Sequence, residues 1–187
     1  MKQVRAEQTA RAEFNAKNFT GFGDFRSAAP PDWRLDGTGT WDGPSPSGEF
    51  CVPPEGDAAI AQVLPAGLYS HALSDRMNAG LRSPLFPTEK RHVSILAMGG
   101  NHAFLRSVPD FRQLHDTREI KSDRPTWSSF GKNGRDARIY AELLTRWDCV
   151  RYDKTDTSPA TDPRSYVGIV RAVAHDCDEA PKADLEH

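Results

Sequence analysis

The sequence has no long apolar run. No stretch approaches the roughly 20 residues that a membrane-crossing helix needs. Met1-Lys2-Gln3 leads into a polar segment, without the apolar core of an export signal. Charge of one sign is missing too: 24 Lys and Arg stand against 26 Asp and Glu, a formal net charge of −2 in 187 residues. Such balance provides no field for steering onto nucleic acid or an anionic membrane. Cysteine is scarce, with only Cys51, Cys149 and Cys177. An odd number cannot pair fully within one chain, and none sits at C-x-x-C spacing. A zinc ribbon, a thioredoxin-type dithiol and a covalent haem site are therefore unsupported. One disulfide remains open if the protein is exported; free buried thiols are the other reading.

Catalytic and metal motifs are also wanting. Ser70, His71, Ser74 and Asp75 are the ingredients of a hydrolase, but no G-x-S-x-G elbow surrounds either serine. Neighbours on a strand point to opposite faces, so Ser70 and His71 cannot easily pair. His175-Asp176-Cys177-Asp178 lacks helical or hairpin ligand spacing. Asp24, Asp148, Asp153, Asp156 and Asp162 offer loop carboxylates of the kind calcium prefers, yet no D-x-D-x-D-G pattern organises them. Structural calcium stays open without a motif, and no other cofactor is expected. Asn18-Phe19-Thr20 fits the glycosylation pattern and is assigned no role. Together these absences argue against an enzyme.

What is present changes character near residue 18. Residues 1–17 are rich in Ala, Glu, Gln, Arg and Lys, good helix formers, with apolar Val4 and Phe14 far apart. They predict a polar helix, with a linker as the alternative. From Phe19 onward, punctuation dominates: Pro30-Pro31, Gly37-Thr38-Gly39, Gly43-Pro44-Ser45-Pro46-Ser47-Gly48 and Pro53-Pro54-Glu55-Gly56. Short strands between such signals predict a sandwich or barrel. Candidate strands are Ala59 to Leu64, Gly67 to His71, Arg82 to Phe86 and Tyr166 to Val173. His92 to Met98 and His102 to Arg106, separated by Gly99-Gly100-Asn101, read as a hairpin. Arg138 to Leu144 alternates, with Ile139, Ala141 and Leu143 facing a core and Arg138, Tyr140 and Glu142 opposite. A helix competes there, because Ala, Glu and Leu favour one.

Trp33, Trp41, Trp127 and Trp147 fall in or beside predicted loops and strand ends. A tryptophan beside Arg or carboxylate groups can form a sugar-stacking platform; filling the core or closing a loop is the competing role. Asp75 and Arg82 border the turn-rich Arg76-Met77-Asn78-Ala79-Gly80 and could hold that loop or touch a ligand.

The stretch Gly56-Asp57-Ala58-Ala59-Ile60, then Leu64 to His71, Leu73-Ser74-Asp75 and Gly80 to Phe86, resembles a module of large multidomain proteins of planctomycete bacteria. Those proteins combine cytochrome c-like domains with domains of unknown function. Pro44 to Phe50, Tyr140 to Leu143 and Arg164 to Ile169 share the likeness, which spans roughly residues 20 to 175. Phe25, Trp33 and Gly37 are similar to the opening of galactose-binding-type jelly rolls. The resemblance implies a sandwich in an exported, periplasmic or extracellular protein, and no established activity. The parent family's haem-attachment motif is absent from this chain, so electron transfer does not carry over.

The resulting expectation is an all-β chain: a jelly-roll-like antiparallel sandwich with a short N-terminal helix. Residues 1–18 form a polar helix or linker from a preceding region, 19–178 the sandwich, and 179–187 a tail with a vector-derived tag remnant. The expected function is a non-catalytic module binding carbohydrate or an envelope polymer. The alternative is a structural spacer packing against neighbouring domains of a parent protein. Trp41, Trp127, Asp75 and Arg82 are the candidate ligand-binding residues; no metal, nucleic acid or membrane span is expected.

Overall fold

A computed structural model describes residues 2–51, 60, 62–110, 116–131, 138–146 and 165–183. The polar N-terminus is helical: α1 spans Lys2–Asn18. It stops where the Asn18 side-chain amide donates back to the Phe14 carbonyl at 2.9 Å. Ten strands follow among the described residues: β1 Phe19–Asp24, β2 Arg34–Asp36, β3 Glu49–Cys51, β4 Gln62–Leu64, β5 Leu68–Tyr69, β6 Gly80–Arg82, β7 His92–Pro109, β8 Thr117–Gly131, β9 Ile139–Leu144 and β10 Tyr166–His175. The predicted all-β class holds, and every described strand pair is antiparallel.

The architecture turns on β7. Its first half pairs with β10, its second half with β9, and β8 runs along its other edge throughout. One half of the sheet is therefore β8-β7-β10-β1, and the other is β8-β7-β9-β6-β2. Both halves feed one core. Val93, Ile95 and Ala97 from early β7 meet Ala103 and Leu105 from late β7 in the same buried cluster. Val167, Ile169, Ala172 and Ala174 of β10 join Ile139, Ala141 and Leu143 of β9 there. A long strand that bends from one layer into the next is a recognised way to close a sandwich corner.

This corrects the expected hairpin. Gly99, Gly100 and Asn101 do not reverse the chain; they lie inside one continuous 18-residue strand. The glycines are there for close approach. A Cβ on Gly100 would fall 2.8 Å from the Tyr166 ring, and one on Gly99 would fall 2.9 Å from the Tyr166 carbonyl oxygen. The bend lies here, with His102 at φ 64°, and the chain reverses only beyond Pro109, before β8. The polar β8 lies on the sheet's edge, where charges and Pro125 guard against edge-to-edge pairing.

The β9 alternation is as expected: Ile139, Ala141 and Leu143 are buried in the core. The opposite face holds a surprise, because Glu142 is also buried. It lies directly between Arg82 of β6 and Arg106 of β7 in register. Arg82 Nε and Nη2 donate to its Oε1 at 2.8 and 2.6 Å. Arg106 Nε donates to its Oε2 at 2.6 Å, and Nη2 also reaches that oxygen. Two guanidinium groups thus satisfy a carboxylate that would be costly to bury alone.

The outer face of the β7–β10 layer carries a smaller cluster of Met98, Val170 and Tyr69, covered by Leu64 and Cys51 of the β3–β4 ribbon. Cys51 and Cys177 are free thiols, and Cys149 lies outside the described residues.

Candidate functional site

Two open clefts flank the chain segment that joins β4 to β5. Pro65 and Ala66 line one, and Gly67 and Tyr69 line the other.

The first cleft, of about 380 Å³, includes Asp42, Ser45, Glu49, Leu73 and Met77 in its lining. Trp41 sits at the end of a one-turn 3-10 segment, Thr38–Thr40, next to the lining residue Asp42. That segment is clamped from several sides. Gly37, at φ 93°, is a conformation that glycine alone adopts cheaply. Thr40 Oγ1 donates to the Gly37 carbonyl at 2.9 Å. Thr38 N and Oγ1 both donate to Asn78 Oδ1, at 3.2 and 3.1 Å, and Gly39 N donates to the Asn78 carbonyl at 2.9 Å. At the end of this clip Trp41 is 80 % exposed.

The second cleft, of about 600 Å³, is lined by Gln62 and Val63 of β4, by Asp123, Arg124, Pro125 and Trp127 of β8, and by Arg26 and Arg171. Its floor follows the sheet register. Trp127 opposes Leu96, Leu96 opposes Arg171, and Arg171 opposes Asp24, one row across β8, β7, β10 and β1. Trp127 is half-buried. The Arg171 guanidinium lies 5.4 Å from its ring centroid, within cation–π range. Arg26 Nε and Nη2 donate to the Asp24 carboxylate at 2.9 and 2.6 Å, and these hydrogen bonds hold Asp24 below the usual carboxylate range. The Gln62 amide donates to the Asp123 carbonyl and ties the ribbon to β8.

The four candidate residues are not brought together. Trp41 stands beside the first cleft and Trp127 in the second. Arg82 is spent on Glu142, and its guanidinium also lies 5.2 Å from the Tyr140 ring centroid. Asp75 offers its carbonyl to the Ser165 amide at 2.8 Å, tying its loop to the start of β10. Of the other tryptophans, Trp33 is buried, its Nε1 donating to the Phe22 carbonyl at 3.1 Å, and Trp147 lies outside the described residues.

Ser70 and His71 do not pair. Ser70 Oγ accepts from the Val167 amide at 3.0 Å. His71 stacks on Tyr166 with ring centroids 4.2 Å apart. A serine–histidine pair does exist elsewhere, and sequence reasoning missed it. Ser94 Oγ lies 2.7 Å from His175 Nε2, while His175 Nδ1 lies 2.7 Å from the Cys177 carbonyl. A carbonyl only accepts, so Nδ1 carries the proton and Nε2 accepts from Ser94. The geometry is that of an activated hydroxyl, but Ser94 is 0 % exposed and His175 2 %. The pair braces β7 against β10. The partners stand 81 positions apart in the chain, which leaves no local motif to find.

No protein-family model matches the chain, and no curated protein matches it. A solved structure of TmCBM61 in complex with beta-1,4-galactotriose is similar at 10 % identity, over 85 % of this chain and 98 % of that one, with a TM-score of 0.39. At that identity and TM-score the likeness carries no argument about fold or ligand.

Proposed function

We propose that the chain is a non-catalytic carbohydrate-binding module, with Trp41 as its stacking platform. The observation that carries this reading is the exposure of Trp41 at the end of a hydrogen-bonded backbone turn. A tryptophan in the core would lie under the sheet, as Trp33 does. Trp41 instead presents an apolar ring to water beside a cleft with carboxylate and hydroxyl groups. Sugar recognition needs that combination: a ring face for C–H contacts and polar groups for hydroxyls. The sequence resemblance adds an exported, envelope-associated setting, where polysaccharide is an abundant polymer.

Co-sedimentation with insoluble glycans, together with affinity electrophoresis in soluble ones, tests the reading. Binding to at least one neutral polysaccharide, lost in Trp41→Ala without loss of fold, is expected. Binding that survives Trp41→Ala unchanged removes Trp41 from the site.

A second reading, a spacer packed against a neighbouring domain, has its own support. Phe50 and Val63 oppose each other across the β3–β4 ribbon and are 57 % and 77 % exposed. An outward apolar pair of this kind suits a protein contact. Phe50→Ser should then abolish association with a longer fragment of the parent protein and leave glycan binding intact.

A further inference from the structure

We infer that the first cleft selects a protonated amino sugar, with Asp42 and Glu49 holding its ammonium group and the Tyr69 hydroxyl bonding the same sugar unit from the cleft floor. The inference rests on the glycan reading and names the sugar class that the site beside Trp41 prefers.

Three observations converge on this cleft. The first is its charge. Asp42 and Glu49 line it, and no Lys, Arg or His stands among its lining residues. Among the described residues neither carboxylate is held in an ion pair. Their field reaches the neighbouring β3: burial pushes the Cys51 thiol up to about 11, and the charges of Glu49 and Asp75 add to that rise. A cleft lined by one sign of charge raises the local concentration of the opposite one.

The second is the way the two acids are carried. Asp42 lies just beyond the Thr38–Thr40 turn, and Glu49 opens β3. The loop between them is pinned at its middle. Ser45 N donates to the Gly67 carbonyl at 2.8 Å, and Gly67 N donates to the Ser45 carbonyl at 3.0 Å. The Ser45 hydroxyl donates to the Gly48 carbonyl at 2.8 Å. Both acids therefore stand at the ends of a tied loop on the wall of one cleft.

The third is Tyr69, which lines the same cleft and is 5 % exposed. Its hydroxyl is buried and has no hydrogen-bond partner among the described residues. It lies beside Gly67, another lining residue, where a Cβ would fall 2.9 Å from the hydroxyl oxygen. A buried hydroxyl without a partner is costly. A polar ligand atom that reaches Gly67 supplies the partner.

Chemistry selects the occupant. An amino sugar brings an ammonium for the carboxylates, hydroxyls for Tyr69 and an apolar ring face for Trp41. A lysine side chain brings its ammonium on a flexible stem and has no hydroxyl to offer Tyr69. Calcium takes about six to eight oxygen ligands. Among the described residues no group of three or more His, Cys, Asp or Glu could hold a metal ion.

Calorimetric titration with three β-1,4-linked hexasaccharides that differ only at C2 tests the inference: the glucosamine hexamer, its N-acetylated form and the glucose hexamer. At about pH 6 the amino form should bind at least about tenfold more tightly than either neutral one. The preference should vanish at about pH 8.5, where the amine has lost its proton and both carboxylates keep their charge. Asp42→Asn/Glu49→Gln keeps hydrogen-bonding groups and removes the charge, so the ratio should fall towards one. Asp42→Asn alone, at an exposed position, should lower it in the same direction if the double variant folds poorly. Tyr69→Phe should keep its melting temperature and weaken binding of the amino form by roughly threefold to tenfold. Equal binding of all three hexamers overturns the inference and leaves the Trp41 platform standing. A preference that survives the double variant or the rise in pH overturns it too, as does unchanged binding in Tyr69→Phe. So does tighter binding of polylysine, or saturable calcium binding that needs Asp42 and Glu49. Failure of the amino hexamer to bind also overturns it, whereas the platform is judged on the wider panel of neutral glycans. A preference for the amino form that ignores Trp41→Ala upholds the cleft and defeats the platform.

Discussion

His71 is 6 % exposed, and among the described residues neither of its ring nitrogens has a hydrogen-bond partner. Burial pushes its pKa down from 6.5 to about 4. The folded state therefore holds it neutral, while the unfolded chain takes up a proton below pH 6.5. Its contribution to stability is complete above that pH and is lost as pH falls towards 4, by up to about 3 kcal/mol. His175, also lowered by burial, adds to the same trend. Urea unfolding at neutral pH and near pH 4.5 should show a marked loss, and His71→Phe should recover part of it. Because Phe leaves no unpaired ring nitrogen, that variant should match the unsubstituted protein at neutral pH to within about 1.5 kcal/mol. An identical acid loss in both proteins would exclude His71 as the source. Phe86 makes a simpler case. It is buried, with its ring 5.7 Å from Phe22 at 88°. Phe86→Ala should cost about 3–5 kcal/mol, and an unchanged melting temperature would refute the placement. Glu142→Ala strips the carboxylate from between two guanidinium groups. Arg82 is half exposed and can return to water, so the cost should lie near the low end of the ~3–5 kcal/mol typical of broken buried pairs.

Among the elements, β5 and β10 meet where Gly168 faces Tyr69. A Cβ there would fall 2.4 Å from the Tyr69 ring. Gly168→Ala should destabilise by about 1–3 kcal/mol through overpacking, seen as a shift of the denaturant midpoint at unchanged slope. This glycine shows why the strands were only partly legible in the sequence. The β9 segment announced itself because Ile139, Ala141 and Leu143 alternate with polar residues and the core accepts that period. The β7 segment misled because Gly99-Gly100-Asn101 has the composition of a turn, whereas the glycines make room for Tyr166. The β8 segment was overlooked because an edge strand carries few apolar residues. For the site, Trp41 could be singled out from its loop-forming neighbours. The partnership of Trp127 with Arg171 could not, since it depends on register across three strands and on a bulge that no local pattern encodes. The pairing of Arg82 with Glu142 is of the same kind: 60 residues apart in the chain, adjacent in the sheet.

Across the molecule, α1 meets the segment that follows β10. Asn15 of α1 exchanges two hydrogen bonds of 2.9 Å with the backbone of Lys182, and the Lys182 ammonium lies 4.9 Å from the Phe14 ring centroid. The helix and residues 179–183 thus brace each other beside the second cleft, which Ala183 lines. With the helix and tail on one side and the ribbon on another, the sandwich presents its two clefts on either side of Pro65, Ala66 and Gly67. The central claim is that this surface binds glycan through Trp41. Intrinsic tryptophan fluorescence, titrated with plant, algal and bacterial polysaccharides, addresses it most directly. Trp33 is buried in the core and should respond little, so a saturable change in emission that disappears in Trp41→Phe is the predicted result. A flat response to every polymer, or a saturable change that Trp41→Phe leaves intact, would contradict the account.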